Sequence, residues 1–516
     1  MSTTHLHHMR SLSFGMDILI LSMSSPHEEY FWQKRLDTMR GQVIKENTHV
    51  VTICENWKGG AGNALGTLYA FSKARIKLKA QYNIDLLERL EAGDSIGLYH
   101  TAGKGTRLAP ITGCEYNSKS RIKLLGTLFD KTEKTPITLL EASLKQTSIF
   151  APKRRGRLSV FWGDQLFIPE HEIPETQAHV DLLVKLLPKI PEQKDWIEQG
   201  YHKYGLVLAH PKHNFKQLEK LTFEGFSKLS ILPQEQVGIS FGSFSLSKEM
   251  LEALLIEFEA ELREKKIKLD TDPHLWMPLS LDEETYLNTL RNKSISEDFL
   301  KTHYKRIQNF KEEFLSTPLL RCTDLGERTL WWDYGNTASY LANSLKLNEN
   351  TEEGKAMRIF FNTPSSPENH VKTTELEIEN SILIDCKIEK GSIKNSVLLN
   401  VTAAEVDIEN SALIETSAQK VDSKCSILYN VAENGPVHLR DHSVRSDIFS
   451  EKNGHIKFQN SILTPIPWEQ CANENPFSFA KLHQFIQGLH PSEGQHCAQT
   501  AHNKVKQAVI NLQKSQ

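Results

Sequence analysis

The stretch Leu98-Tyr99-His100-Thr101-Ala102-Gly103-Lys104-Gly105-Thr106-Arg107-Leu108-Ala109-Pro110-Ile111-Thr112 sets the reading of this chain. An apolar strand over 95–100 breaks into a loop of small residues that carries Arg107 and closes on Pro110. Gly103 and Gly105 present no side chain to a phosphate and can take positive φ. Successive backbone N–H groups in such a loop form a nest for anions, and Lys104 and Arg107 add charge beside it. The loop is not a dinucleotide fingerprint, because Arg107 and Pro110 stand where that motif opens its helix. It is not a Walker A loop either, because no G-K-[ST] follows the last Gly. A strand feeding an Arg-bearing anion nest suits a nucleoside triphosphate, with Ala102, Gly103, Lys104, Gly105 and Thr106 as the nucleotide-binding candidates.

On both sides of this loop, over 15–345, short apolar strands alternate with helical stretches at 27–40, 64–79, 84–91, 137–147, 176–187 and 248–265. Such alternation predicts an α/β domain, a mostly parallel sheet with helices on both faces. Ligands of such sheets bind beyond the carboxyl ends of the strands. Gly103, Asp164 and Asp333 each follow an apolar strand candidate. Residues 282–314 read as a charged helical insertion.

The loop G-x-G-T-R-L-x-P-x-T resembles the signature of sugar-1-phosphate nucleotidyltransferases. Four more segments follow in that family's order: Ser159-Val160-Phe161-Trp162-Gly163-Asp164; Tyr204-Gly205-Leu206-Val207 with Glu219-Lys220; Gly238-Ile239-Ser240-Phe241-Gly242-Ser243-Phe244; and Trp331-Trp332-Asp333-Tyr334-Gly335-Asn336-Thr337. A strand–helix–strand unit precedes the loop, over 17–54. It is followed by Trp57-Lys58-Gly59-Gly60-Ala61-Gly62-Asn63-Ala64-Leu65-Gly66-Thr67-Leu68. That layout is similar to fucose-1-phosphate guanylyltransferases, including the pyrophosphorylase half of bifunctional fucokinases.

The resemblance implies a doubly wound, Rossmann-like nucleotidyltransferase sheet and the reaction sugar 1-phosphate plus NTP to NDP-sugar plus pyrophosphate. GTP and fucose 1-phosphate are the substrates it favours, with a uridylyltransferase for glucose or N-acetylhexosamine 1-phosphate as the nearest rival. It implies Mg²⁺ on Asp164 and Asp333, Arg107 on the departing pyrophosphate, and Glu219, Lys220, Gly205 and Gly242 about the sugar phosphate. Gly60, Gly62 and Asn63 would border the base or sugar. The stretch Asp272-Pro273-His274-Leu275-Trp276 reads as a buried turn, with contact to the sugar as the alternative. A second lysine belongs after the loop. Lys123, which precedes two apolar residues, suits the fucose-type pattern, and Lys119 suits the bacterial K-P-h-h-P pattern. A reading of a different class is a non-catalytic nucleotide-sugar sensor or scaffold.

From 371 to 465 the texture changes, after a linker over 346–370. Asn380-Ser381-Ile382-Leu383, Asn395-Ser396-Val397-Leu398, Asn410-Ser411-Ala412-Leu413 and Cys425-Ser426-Ile427-Leu428 stand 15 residues apart, and Asn460-Ser461-Ile462-Leu463 echoes them. One short strand per repeat predicts a β-solenoid, because a single turn cannot bury its apolar ladder alone. Related enzymes often carry a left-handed β-helix here, but its coils usually advance 18 residues, so handedness stays open. Solenoids of that kind can be acyltransferases, yet His438 and His442 fall in the irregular part. Two amphipathic helices, 477–489 and 496–512, are expected in the tail over 466–516, capping the solenoid end or meeting a second subunit in a homo-oligomer.

Bulk properties set outer bounds. The 516 residues suffice for at least two cores. The net charge of -3 gives no basic surface for nucleic acid. No apolar run approaches the roughly 20 residues of a membrane span, and no cleavage site follows the short run at 18–23, so the expected location is the cytoplasm. Seven scattered cysteines without C-x-x-C read as reduced thiols. His5, His7 and His8 lie in a stretch, 1–14, expected to be a disordered tail.

Overall fold

The apolar run before the glycine loop forms the strand Ile96–His100. It pairs in parallel with Ile18–Met23 on one side and Arg157–Trp162 on the other. Ile18–Met23 in turn pairs in parallel with His49–Cys54. The computed structural model describes residues 3–101, 103–130, 133–291, 295–314, 317–367, 371–372 and 375–513. These form a mixed α/β protein with two nine-stranded sheets, both rich in parallel pairs. Beyond Arg157–Trp162 the first sheet becomes antiparallel. The strand Gln236–Ser247 runs against Arg157–Trp162, Val180–Leu186 and Gly205–Ala209, and Lys216–Glu219 closes that edge. Leu320–Asp324 returns in parallel beside Val180–Leu186.

The strands are buried because helices cover them. Gly62–Tyr82 lays Leu65, Leu68, Phe71 and Leu78 on the core formed by Ile18, Ile20, Leu98 and Val160, and Lys248–Glu257 adds Met250 and Leu254. Each such side chain contributes roughly 1.5–3 kcal/mol on burial.

Several elements differ from expectation. Residues 176–187, read as a helix, hold the strand Val180–Leu186. Asp181 is the second residue of that strand. Its charge is met in the core by Arg154 and by the Thr323 hydroxyl. Residues 137–147 divide into the strand Glu133–Thr138 and the helix Leu139–Thr147, and 248–265 into Lys248–Glu257 and Glu259–Glu264. The charged stretch 282–314 is helical at Glu283–Leu290 and Glu297–Lys311. The N-terminal stretch is not a loose tail over its described part. Thr3–Ser11 is a helix that buries Leu6 and Met9, and the His5 ring meets the Pro169 carbonyl at 3.1 Å. The expected linker contains the helix Glu352–Phe361, which buries Met357, Phe360 and Phe361.

In the second sheet, successive strands pair in parallel at an offset of 15 residues, Val397 with Ala412 and Ala412 with Ile427. The recurring Asn-Ser has a physical cause. Asn380, Asn395, Asn410 and Cys425 occupy left-handed backbone at one corner of each repeat. Asn takes that conformation more readily than most residues. The serine that follows accepts from the backbone N–H of the next serine, Ser381 to Ser396 to Ser411 to Ser426, at 3.0–3.1 Å. A second left-handed corner recurs at Asp385, Asn400, Glu415 and Asn430. Ile393, Leu398, Ile408, Leu413, Val421 and Leu428 stack into the apolar interior.

The chain divides into two compact units. One comprises Met1–Thr101, Leu144–Gly163 and Phe167–Leu330; the other comprises Ala102–Ser143, Asp164–Leu166 and Trp331–Gln516. The expected domain over 15–345 is therefore split. The glycine loop, Asp164 and Asp333 belong to the unit that holds the second sheet, and so do the tail helices Phe479–Gln487 and Pro491–Gln513. The tail does not merely cap an end. Val505 and Val509 pack with Ala432 and Phe449 on a face of the sheet, and Leu482 packs on Gly113 beside the glycine loop.

Candidate active site

In the second unit, Gly103 and Gly105 both have positive φ, 141° and 59°. At Gly105 the conformation also excludes a side chain, since a Cβ would stand 2.7 Å from Thr112 Cγ2. Gly105 opens the short 3₁₀ turn Thr106–Leu108, which leaves Thr106 and Arg107 exposed and buries Leu108. Asn460 Nδ2 donates to the Ala109 carbonyl at 3.0 Å and holds the far end of the loop. Lys104 is exposed and faces His483, whose imidazole is held below its ordinary range by burial and by that ammonium. Ala102 lies outside the described residues.

Three charged side chains, Arg107, Lys119 and Asp164, stand around Asp333. Lys119 Nζ donates to Asp164 Oδ2 at 2.6 Å, both side chains being about one-fifth exposed. Arg107 Nη2 lies against Gly335, at 3.2 Å from where a Cβ there would stand. The Gly335 N–H donates to Asp333 Oδ1 at 2.7 Å. Burial pushes the Asp333 carboxyl above the usual carboxylate range; the Gly335 N–H opposes this, the Asp164 charge adds to it, and Arg107 and Lys119 oppose it. The main chain fixes the carboxylates. Tyr334 N–H donates to the Asp164 carbonyl at 3.1 Å, and Asn343 Nδ2 to the Asp333 carbonyl at 2.8 Å. Asn336 caps the helix Thr337–Leu345 by accepting from Ser339 N–H at 2.9 Å.

Lys123 is not part of this group. Its ammonium is bound to Glu415 Oε2 at 2.6 Å and Glu115 Oε1 at 3.0 Å, so the lysine that faces Asp164 is Lys119. Burial alone would lower the Lys123 pKa, but the two carboxylates outweigh it and hold the group well above its ordinary value.

The first unit brings the remaining candidates together. Asn63 is clasped between its own N–H on Asp270 Oδ1 at 3.0 Å and its Oδ1 on Thr271 N–H at 2.6 Å. Gly62, at φ +77°, lies so close that a Cβ would reach 2.3 Å from the Leu269 carbonyl. Gly60 has open space toward Glu55, which accepts from Ala61 N–H at 3.1 Å. Gly205 abuts Gln217 and Glu219, and Gly242 lies under the Trp162 indole. Trp162 stacks on His100 at 5.2 Å between centroids, and His100 Nε2 meets Thr67 Oγ1 at 2.8 Å. Burial brings the His100 imidazole down to about 4. Lys220 Nζ meets Glu219 Oε1 at 3.0 Å.

Asp272 and Trp162 gain weight only from the folded chain. Asp272 opens a π-helical turn, Asp272–Trp276. Its carboxyl is pushed up to about 8 by burial first and then by the Glu219 charge, with which it shares a hydrogen bond. The sequence places Asp272 in a turn that could reach a sugar, and its pairing with Glu219 is seen only in the fold.

Among the described residues no group of three or more His, Cys, Asp or Glu is arranged to hold a metal ion. Asp164 and Asp333 contribute a pair of hard oxygen donors. The seven cysteines are free thiols. Among the described residues no helix is long and apolar enough to cross a membrane. No protein-family model matches the chain, and no curated protein matches it.

Proposed function

We propose that this protein is a sugar-1-phosphate nucleotidyltransferase, which joins an NTP to a sugar 1-phosphate and releases pyrophosphate, with GTP and fucose 1-phosphate as the preferred pair. The single observation that carries the reading is the meeting of Arg107, Lys119, Asp164 and Asp333 beside a positive-φ glycine loop. Two cations and two carboxylates at that loop match the demands of two anionic reactants. At ~4 Å, like unit charges repel by about 4 kcal/mol at an effective dielectric near 20.

In the reaction, an oxygen of the sugar phosphate forms a bond to the α-phosphorus while the bond from that phosphorus to the pyrophosphate oxygen breaks. The loop N–H groups at Gly103, Gly105 and Thr106 cradle the phosphate tail. Arg107 takes two oxygens of the departing pyrophosphate with its planar fork, where a lysine would offer one point charge. Lys119 exchanges its bond to Asp164 for a phosphate oxygen. Asp164 and Asp333 are hard donors from separate chain segments and fit Mg²⁺, a metal that keeps several waters and needs few carboxylates. When bound, it would supply positive charge at the α-phosphate. Within the first unit, Glu219 and Lys220, with Asp272 beside Glu219, are the groups that the resemblance gives to a sugar and its phosphate. Positioning of reactants accounts for roughly 7–11 kcal/mol in such sites.

The parallel strands that lead into the glycine loop support a Rossmann-like nucleotidyltransferase sheet. The 15-residue offset and paired left-handed corners support reading the second sheet as a β-solenoid. Free thiols throughout accord with a reducing cytoplasm.

The test is pyrophosphate release across four NTPs and a panel of sugar 1-phosphates, with and without Mg²⁺. Release confined to GTP with fucose 1-phosphate is expected. Release with UTP and a hexosamine phosphate would move the substrate to the uridylyl rival. No release with any pair, despite ligand-induced thermal shifts, would favour a sensor and end the enzymatic reading.

A further inference from the structure

We infer that Lys123, Glu115 and Glu415 form a positioning unit that sets Lys119 and Asp333 for the chemistry proposed above, on which reading the inference rests. Every polar group of Lys123 is held. Its ammonium lies between Glu415 and Glu115. Its N–H donates to the Tyr429 hydroxyl at 2.7 Å, and its carbonyl accepts from the Tyr340 hydroxyl at 2.6 Å. The Tyr429 hydroxyl in turn donates to Glu115 Oε1 at 2.7 Å.

These bonds fix two chain segments that carry the site. The 3₁₀ turn Lys119–Arg121 runs directly into Lys123. Tyr340 belongs to the helix Thr337–Leu345, which Asn336 caps three residues after Asp333 and whose Asn343 binds the Asp333 carbonyl. A displacement of Lys123 is therefore transmitted to both.

Glu415 marks the sheet's contribution. The second corner of the repeat places Asp385, Asn400, Glu415 and Asn430 in left-handed backbone. Asp and Asn suit that conformation; a glutamate at φ 48° does not. The exception falls where a longer carboxylate is needed to reach Lys123. An ion pair whose side chains are each about one-quarter exposed adds little stability. What this one supplies is direction, since it fixes the backbone between Lys119 and the strand Lys123–Asp130. Lys123 and Glu415 touch no reacting atom in this account; they act through Lys119 and Asp333.

The experiment compares Glu415→Asn, Glu415→Gln and Lys119→Ala, alone and with Glu415→Asn combined with Lys119→Ala, in the full chain. Asparagine suits the corner, so Glu415→Asn is expected to fold and melt cooperatively. Amide hydrogen exchange over 115–123 and 333–343 should quicken about tenfold against the strands of the first sheet, because opening there becomes easier. Turnover should fall about 10–100-fold, as when an outer partner of a site is removed, with KM for the NTP little changed. Glu415→Gln, which keeps length and one acceptor, should recover part of both. In the Lys119→Ala background Glu415→Asn should cost clearly less turnover than in the wild type, since the part of its effect that runs through Lys119 is already lost. Unchanged exchange in Glu415→Asn, or an additive loss in the double variant, would overturn the inference. Absence of turnover in the wild type would overturn the proposed reaction instead, and the exchange comparison would still decide the coupling.

Discussion

Lys119 Nζ is bonded to Asp164 Oδ2 at 2.6 Å, with no other residue between the ammonium and the carboxylate. In the proposed reaction each charge would find a different partner: the lysine a phosphate oxygen, the aspartate a cation. Both side chains keep about one-fifth of their surface open to water, so neither is locked by burial.

Lys119→Ala should therefore lower pyrophosphate-forming kcat about 10²–10³-fold, the loss typical of one electrostatic contact made in the transition state. Its thermal midpoint should stay near wild type, because a partly exposed ion pair contributes only about 0–1 kcal/mol. Steady-state kinetics alongside a thermal melt checks both. A variant with wild-type kcat would remove Lys119 from the chemistry.

Arg107 is exposed, on a turn whose neighbour Leu108 supplies the anchoring. Arg107→Ala should cost about 10³-fold in turnover, at the lower end of what a charge-stabilising arginine supplies in phosphoryl transfer, and little stability. Arg107→Lys should fall between, since it restores charge but not the bidentate grip. Equal activity of the Lys and Ala variants would show that the fork geometry does not matter.

The parts of the fold that could be read from sequence are those whose cause is local. The strands Ile18–Met23 and His49–Cys54 are apolar runs bounded by polar residues, and the 15-residue repeat shows because its left-handed corners prefer Asn. What could not be read depends on partners far along the chain. The charge of Asp181 looks unsuited to a buried strand until Arg154 is placed beside it. Lys119 and Lys123 look equivalent until Glu415, 292 residues beyond Lys123, claims the latter. The helix Thr3–Ser11 has no visible reason to order until the Pro169 carbonyl meets His5. The glycine loop, Asp164 and Asp333 read as motifs; the approach of Asp272 to Glu219 does not, because only the fold brings these distant carboxyls together.

Two glycines of one loop separate strain from collision. Gly59 has φ +84° and open space where a Cβ would stand, whereas Gly62 has φ +77° and the Leu269 carbonyl 2.3 Å away. Gly59→Ala should cost about 1–2 kcal/mol, the left-handed penalty alone. Gly62→Ala should cost about 2–4 kcal/mol, because backbone must also move. Urea midpoints of the two variants, at unchanged slope, measure the difference. Equal costs would mean that the Leu269 backbone yields freely.

His502 gives the fold an acid sensitivity of calculable sign. Its Nδ1 meets Ser417 Oγ at 3.0 Å and its Nε2 meets Asn430 Oδ1 at 3.2 Å, on the face of the second sheet. Burial brings its imidazole down to about 4; Glu415 and Asp447 oppose this, and Lys506 and Lys123 assist it. An unfolded histidine titrates near 6.5. Between those values the unfolded chain binds the proton that the folded chain refuses, so stability falls as pH drops from about 6.5 toward 4 and is undiminished above that window. At pH 5 the loss from this one residue is about 2 kcal/mol. His502→Gln removes the titrating group while keeping an amide for the same neighbours. Urea unfolding at pH 8 and pH 5 should show a smaller drop in the variant than in wild type, by about 2 kcal/mol, even if the variant is less stable at pH 8. An identical drop in both would show that His502 takes its proton in the folded state as readily as in water.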